Sequence, residues 1–231
     1  MAQKEFAADT SKRTIRQWIQ GLVALFVGLT IAHLGVALFL VSSLGTDTFT
    51  LLIQGISNKC GLTVGTCHVI ALILLMVVML ITTKGYVKPG TFICAFCGGW
   101  IIDLFSWLLG GFINAEASMI LRVVSMLAGC VILSLGMSIV IRSNSGTGPN
   151  DLIAVILTDK LNTRFNIRFQ WVRIACDVLF TVTGILLGGV FGIGTIAAAF
   201  IIGPMVQFFL PFSEKIIKAV FPGLLEGDSS C

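Results

Sequence analysis

The sequence predicts an all-α polytopic membrane protein: six transmembrane helices in two inverted three-helix repeats, each repeat carrying an extra short helix. Three observations lead there. Hydrophobic residues make up 56% of the 231 residues and charged ones only 11%, against roughly a quarter charged in a soluble domain, so the chain is composed for lipid. Six separate stretches are apolar for about the 20 residues that a helix needs to cross a bilayer core ~30 Å thick. The second half of the chain also repeats the first in register.

The spans fall near 18–42, 65–83, 90–111, 118–141, 169–190 and 193–212. Lys12, Arg13 and Arg16 precede the first, but its apolar run of about 25 residues exceeds the core of a signal peptide, so it is expected to be retained. Residues 1–17 are then a cytoplasmic N-terminal segment, 18–111 the first repeat, 118–212 the second, and 213–231 a cytoplasmic tail. Orientation follows from charge. With six spans, Lys4, Lys12, Arg13, Arg16, Lys84, Lys88, Arg142, Lys160, Arg164, Arg168, Lys215 and Lys218 fall on one side and essentially Lys59 alone on the other, which places both termini in the cytoplasm.

The repeat is read from two offsets. A shift of 101 lays Gly28 on Gly129, Gly35 on Gly136, Ser42 on Ser143 and Gly45-Thr46 on Gly146-Thr147; a shift of 104 lays Gly90-Thr91 on Gly194-Thr195, Gly99 on Gly203 and Phe105 on Phe209. Three spans per half is an odd number, so the second half enters the membrane from the opposite side. In transporters such halves meet about an axis in the membrane plane, with the substrate near the midplane. The glycines at 28/35 and 129/136, seven apart, put small residues on one face for close helix packing.

After the first span of each half comes one device, SLGTDTFTLLIQGISNKCG at 43–61 and NSGTGPNDLIAVILTDKLN at 144–162. Glycine frees the backbone, Thr48 or Pro149 opens a helix, and about ten apolar-rich residues follow, too few to span. If these helices re-enter the bilayer, their N-terminal N–H groups face the interior and suit an electronegative group; otherwise they lie flat at the interface. The sequence leaves both open.

These features, GTDTFTLL and GTGPNDLI after spans one and four, and GT at 90–91 and 194–195 ahead of Gly99 and Gly203-Pro204, resemble the bacterial YczE/YyaS/YitT membrane proteins over roughly residues 18–212. The resemblance implies a multi-pass protein of the bacterial cytoplasmic (inner) membrane and names no substrate. The first half departs from the fuller motif, with Asp47-Thr48 where Gly148-Pro149 stand and Thr50 where Asp151 stands, so the two half-sites are not chemically equivalent.

Ionisable groups inside a membrane are costly, by about 2.5–3.5 kcal/mol on insertion scales, and so mark candidate sites. Asp103 lies about thirteen residues into span three, near the expected midplane, with Gln207 as its repeat equivalent. Arg173 and Asp177 stand i, i+4 on span five and are expected to pair. His33 lies deep in span one, where a relay competes with simple hydrogen bonding, whereas His68 and Arg122 are expected to snorkel at the outer interface. The candidate substrate-binding set is Thr46, Asp47, Asp103, Thr147, Asn150, Asp151, Arg173, Asp177, Gln207 and His33. Two acids against one guanidinium leave a surplus carboxyl that must be protonated or meet something positive. The seven cysteines read mostly as small hydrophobes, with a Cys60–Cys67 disulfide and Cys94-x-x-Cys97 chemistry as minor alternatives.

The sequence carries no nucleophile elbow, HExxH, Walker loop or dinucleotide fingerprint. The expectation is therefore not an enzyme: a transporter or facilitator of a small solute, with no cofactor, no metal and no nucleic-acid partner. Its partners would be the lipid bilayer and a small-molecule or ion substrate, with room for a homo-oligomer or a partner membrane subunit. Two other readings stand beside it, a substrate-binding subunit that needs an energising partner, and a non-transporting scaffold or sensor.

Overall fold

The computed structural model describes residues 13–82, 87–113, 116–162, 169–222 and 224. The expected terminal segments before residue 13 and after 224, together with Lys84, Arg164 and Arg168, lie outside the described residues. Among the described residues the regular structure is helical throughout: α1 (Ile15–Ser42), α2 (Thr48–Cys60), α3 (Val64–Thr82), α4 (Pro89–Gly110), α5 (Met119–Ser143), α6 (Pro149–Asn162), α7 (Phe169–Leu186) and α8 (Ile193–Val220). Helices α1, α3, α4, α5 and α8 are each long and apolar enough to cross a membrane. The 18-residue α7, expected as the fifth of six spans over 169–190, ends at Leu186 and is not one of these five among the described residues; it carries Arg173 and Asp177.

Local chemistry sets the ends. Thr14 and Gln17 form a reciprocal capping box that starts α1, satisfying two otherwise orphaned N–H groups. Pro89 opens α4, where its missing N–H costs nothing. Ser43 (φ 52°) and Asn144 (φ 48°) end α1 and α5 in the left-handed region, a local stop that leaves the next residues free to turn. Helix α8 continues eight residues beyond the end expected at 212, through Pro204 and Pro211. Proline signals a helix end in a sequence, but here the extension is anchored by tertiary contacts. The Ser213 hydroxyl lies 2.6 Å from that of Ser138, Ile217 is buried, and Glu214 pairs with Lys218 at 2.6 Å and Arg142 at 3.5 Å.

The centre of the molecule is the packing of α1 on α5. A methyl group on Gly35 would meet the Leu133 backbone N at 2.5 Å and one on Gly28 the Val140 N at 2.9 Å, while Gly136 abuts Ala32 and Gly21 abuts Ser145. As the α1 numbers rise, the α5 numbers fall, so the two helices run antiparallel. The expected glycine stripes are thus the contact surface, and each faces the other half of the chain. Ala32, Val36, Phe39, Met126, Cys130 and Leu133 continue that core toward Ile102 and Ala198.

Two backbone hydrogen bonds lock the loops that follow α1 and α5. Gly194 N–H donates to Leu44 O at 2.8 Å, and Gly90 N–H donates to Ser145 O at 2.9 Å. Positions 44 and 145, and 90 and 194, are the pairs matched by the offsets of 101 and 104. A side-chain carbon on Gly45 would lie 2.6 Å from Thr195 Oγ1, and one on Gly146 the same distance from Thr91 N. Only glycine fits either approach.

The short helices are packed against the rest of the molecule over their N-terminal parts and exposed toward their C-terminal ends, at 58–60 and at Leu157, Lys160 and Leu161. Residues 48–57 and 149–156 contain no exposed position, whereas a helix lying flat at an interface would expose one face. Helix α2 runs beside α7 in the same direction, from Thr48 near Asp177 to Asn58, whose Nδ2 donates to Gly188 O at 2.7 Å. Helix α6 packs Leu152 and Ile156 against Met79 of α3.

Candidate functional site

Both short helices begin at one cluster of polar side chains. The Asp47 carboxylate caps α2, accepting Thr50 N–H at 3.1 Å, and Thr46 Oγ1 donates to it at 3.4 Å. Thr46 N–H in turn donates to Thr195 Oγ1 at 3.2 Å, which ties the start of α2 to the start of α8. In the first turn of α2 the Thr48 hydroxyl donates to Asp177 Oδ1 at 2.8 Å. On the other half, Asp151 stands in the first turn of α6, its side chain only 10% exposed. Asn150 folds back over Gly148, and Thr147 is buried.

Arg173 of α7 joins the two starts. Its Nη1 donates to Asp151 Oδ1 at 2.9 Å and its Nε to Asp177 Oδ2 at 3.3 Å. The network runs Asp151, Arg173, Asp177, Thr48, crossing from α6 through α7 to α2. Two carboxylates, Asp151 and Asp177, share the one guanidinium, while Asp47 at the start of α2 is held by Thr50 and Thr46. The two helix N-termini add about half a positive charge each, so the cluster with every acid ionised keeps roughly one surplus negative charge.

The structure joins Asp151, Arg173 and Asp177 in one network, places Thr46 and Asp47 at the adjoining start of α2 and Thr147 and Asn150 at the start of α6, and separates the remaining candidates. Asp103, expected at the midplane beside Arg173, instead holds the start of α3, accepting Gly65 N–H at 2.8 Å and the Thr63 hydroxyl. Counting along α4 alone puts Asp103 near the midplane, whereas its surroundings depend on where α3 begins. Gln207 is exposed on the outer face of α8 and is not part of the cluster. His33 is buried on α1 with His68, which is buried too rather than snorkelling. Arg122 is not a free interfacial side chain either. It folds onto the end of α1, donating to Ser42 O at 2.7 Å and Ser43 O at 3.0 Å. Cys60 is exposed and Cys67 buried, both free, as are Cys94 and Cys97. Among the described residues, no three His, Cys, Asp or Glu side chains group closely enough to hold a metal.

Sequence reasoning missed Thr48 and Thr195 as members. Both stand in motifs already conspicuous, Asp47-Thr48 and the repeated Gly194-Thr195, but a threonine hydroxyl has no sequence signature that tells a site ligand from a helix start.

These helices, with a partly buried ionic cluster among them, define a multi-pass integral membrane protein. The chain belongs to the family described as "Family of unknown function (DUF6198)", which matches residues 19–211. It is similar to YyaS of Bacillus subtilis (strain 168), 33% identical over 82% of this chain and 92% of that protein. It is also similar to the same organism's membrane protein YczE, 30% identical over 84% of this chain and 86% of that one, and to a protein of Haemophilus influenzae, 27% identical over 83% and 84%. No solved structure matches.

Proposed function

We propose that the protein is a carrier or facilitator of a small solute in the bacterial cytoplasmic membrane, with six spans in two inverted halves and the solute held at the Asp151–Arg173–Asp177 cluster where the short helices start. The observation that carries this reading is the network itself, because it places ionised groups of α6 and α7 and a hydroxyl of α2 in one connected set inside a membrane protein. A group that only glued helices together would be cheaper as packed apolar residues. Two buried helix starts meeting from opposite halves is also the arrangement in which transporters hold solutes near the midplane. With every acid ionised, the surplus negative charge favours a cation, an ammonium group or a proton-coupled solute over a plain anion. The matched pair of loop hydrogen bonds, Leu44 to Gly194 and Ser145 to Gly90, supports a two-fold relation of the halves, and the antiparallel packing of α1 on α5 supports their inversion. On this reading no covalent reaction is catalysed.

The test is a thermal-shift screen of small cations, amines and neutral metabolites on detergent-solubilised protein, followed by uptake of each stabilising compound into liposomes holding the purified chain. Saturable uptake, lost in Arg173→Gln, is the expected result. Binding without uptake, together with an ATPase that co-purifies from native membranes, would make the chain a binding subunit and overturn the carrier.

A further inference from the structure

Away from the aspartate–arginine cluster, two imidazoles meet inside the helical core. His33 of α1 and His68 of α3 touch edge to face, ring centroids 5.6 Å apart and planes at 90°, and each is more than nine-tenths buried. His33 Nδ1 lies 2.7 Å from Leu29 O. A carbonyl only accepts, so Nδ1 carries the hydrogen and Nε2 is a bare lone pair. That lone pair faces Gly98 of α4, where any side-chain carbon would sit 2.8 Å from it and 3.5 Å from His68 Cε1. His68 Nδ1 is buried without a hydrogen-bond partner among the described residues. An unsatisfied buried nitrogen weakens a fold and calls for an explanation.

The pair sits against the solute cluster through one side chain. The Phe49 ring packs edge-on to His68 at 5.6 Å and to Phe180 of α7 at 5.5 Å. Phe49 follows Thr48, whose hydroxyl holds Asp177. The other titratable groups nearby are Cys67 beside His68, Cys94 and Cys97 on α4, Asp103 further along α4, Asp47 at the start of α2 with Lys59 and Cys60 at its far end, and Arg173, Cys176 and Asp177 on α7. Asp103 is engaged by Thr63 and Gly65, and Asp47 by Thr50 and Thr46; neither is a hydrogen-bond or ion-pair partner of an imidazole. With no carboxylate bonded to the pair, burial opposes the first proton, and a second meets like-charge repulsion at close range as well, so one proton is the most the pair takes.

We infer that His33 and His68 together form a proton-binding site that takes a single proton, and that its charge is transmitted to the start of α2 through Phe49. As the coupling ion of a carrier, that proton rests on the transport reading above; as a bound proton it does not.

The chain has only two histidines, so the experiment needs little assignment. Full-length protein carrying a non-histidine affinity tag and 15N-labelled imidazoles is reconstituted in nanodiscs and titrated by NMR from about pH 8 to about pH 4, a range that brackets the ordinary histidine transition. The expected result is that both imidazoles shift with one common midpoint to a plateau of one proton per pair, and that the Thr50 amide shifts with the same midpoint. His68→Gln should move the His33 transition to a new midpoint. Two protons per chain taken up independently, no change in either ring, a Thr50 amide that stays still, or a His33 curve untouched by His68→Gln would each overturn the inference. The wild-type titration decides the matter even where a variant fails to fold. Absence of solute uptake alongside a positive titration removes the carrier and leaves the proton site, while the converse removes the proton site alone.

Discussion

At the scale of single residues, the cluster has an order of importance that the distances set. Asp151 is nearly enclosed and lies 2.9 Å from Arg173, whereas Asp177 is 31% exposed and lies 3.3 Å from it. Either acid alone still leaves Arg173 a partner, so neither asparagine variant strands the guanidinium. We expect Asp151→Asn to destabilise the detergent-solubilised protein by roughly 2–3 kcal/mol and Asp177→Asn by about 1 kcal/mol or less, in line with the loss of a buried and of a half-exposed charged hydrogen bond. Thermal unfolding checks this, and the reverse order would mean that Thr48 and not Arg173 anchors Asp177. The Arg173–Asp177 pair was legible in the sequence because i, i+4 spacing on one helix is a local property. Asp151 as the closer partner was not, since it stands 22 positions away and reaches Arg173 only through the packing of α6 on α7. His68 was misjudged for the same reason: its depth depends on α1 and α4 closing over it.

At the scale of elements, the two loops after α1 and α5 concentrate the most demanding geometry in the molecule. Gly45 (φ 107°) and Gly146 (φ 142°) combine a left-handed backbone with a neighbour where a side chain would stand, while Gly61 (φ 69°) has open space around it. A left-handed alanine costs about 1 kcal/mol from backbone strain alone, and overpacking adds typically 1–3 kcal/mol. Gly45→Ala and Gly146→Ala should therefore lower the unfolding temperature much more than Gly61→Ala; equal effects would show that the loops yield readily. Both loops are also held by cations on the last carbonyls of the preceding helix. Arg122 holds Ser42 and Ser43, Arg13 holds Ser143 and Asn144 at 3.2 and 3.3 Å, and Lys88 binds the Asn144 side chain at 2.9 Å. Positive charge at a helix C-terminus is favourable. The sequence made the Gly-Thr loops conspicuous through repetition, yet it left the short helices undecided between re-entrant and interfacial, because ten apolar-rich residues suit either. The burial or half-burial of residues 48–57 and 149–156 is a property of their neighbours.

At the scale of the whole molecule, the open question is whether the halves are inverted, and the two short helices supply the sharpest probe of it. Cys60 ends α2 and Leu161 lies at the end of α6, positions that correspond under the offset of 101, and both are exposed. An odd number of spans in each half carries equivalent points to opposite faces of the membrane, and an even number carries them to the same face. The charges argue for opposite faces. Lys160, Arg164 and Arg168 surround the end of α6 and Lys59 alone marks the end of α2, the asymmetry expected when the first is cytoplasmic and the second external. The antiparallel packing of α1 on α5 agrees, since the first helices of parallel halves would run the same way. In intact cells, an impermeant maleimide should therefore label a variant retaining Cys60 as its sole cysteine and spare a cysteine-free variant carrying Leu161→Cys, with both reacting once the membrane is permeabilised. The opposite pattern would reverse the orientation and keep the inversion. Labelling of both positions, or of neither until permeabilisation, would put the two helix ends on one side, make the halves parallel, and remove the midplane meeting of helix starts on which the solute site depends.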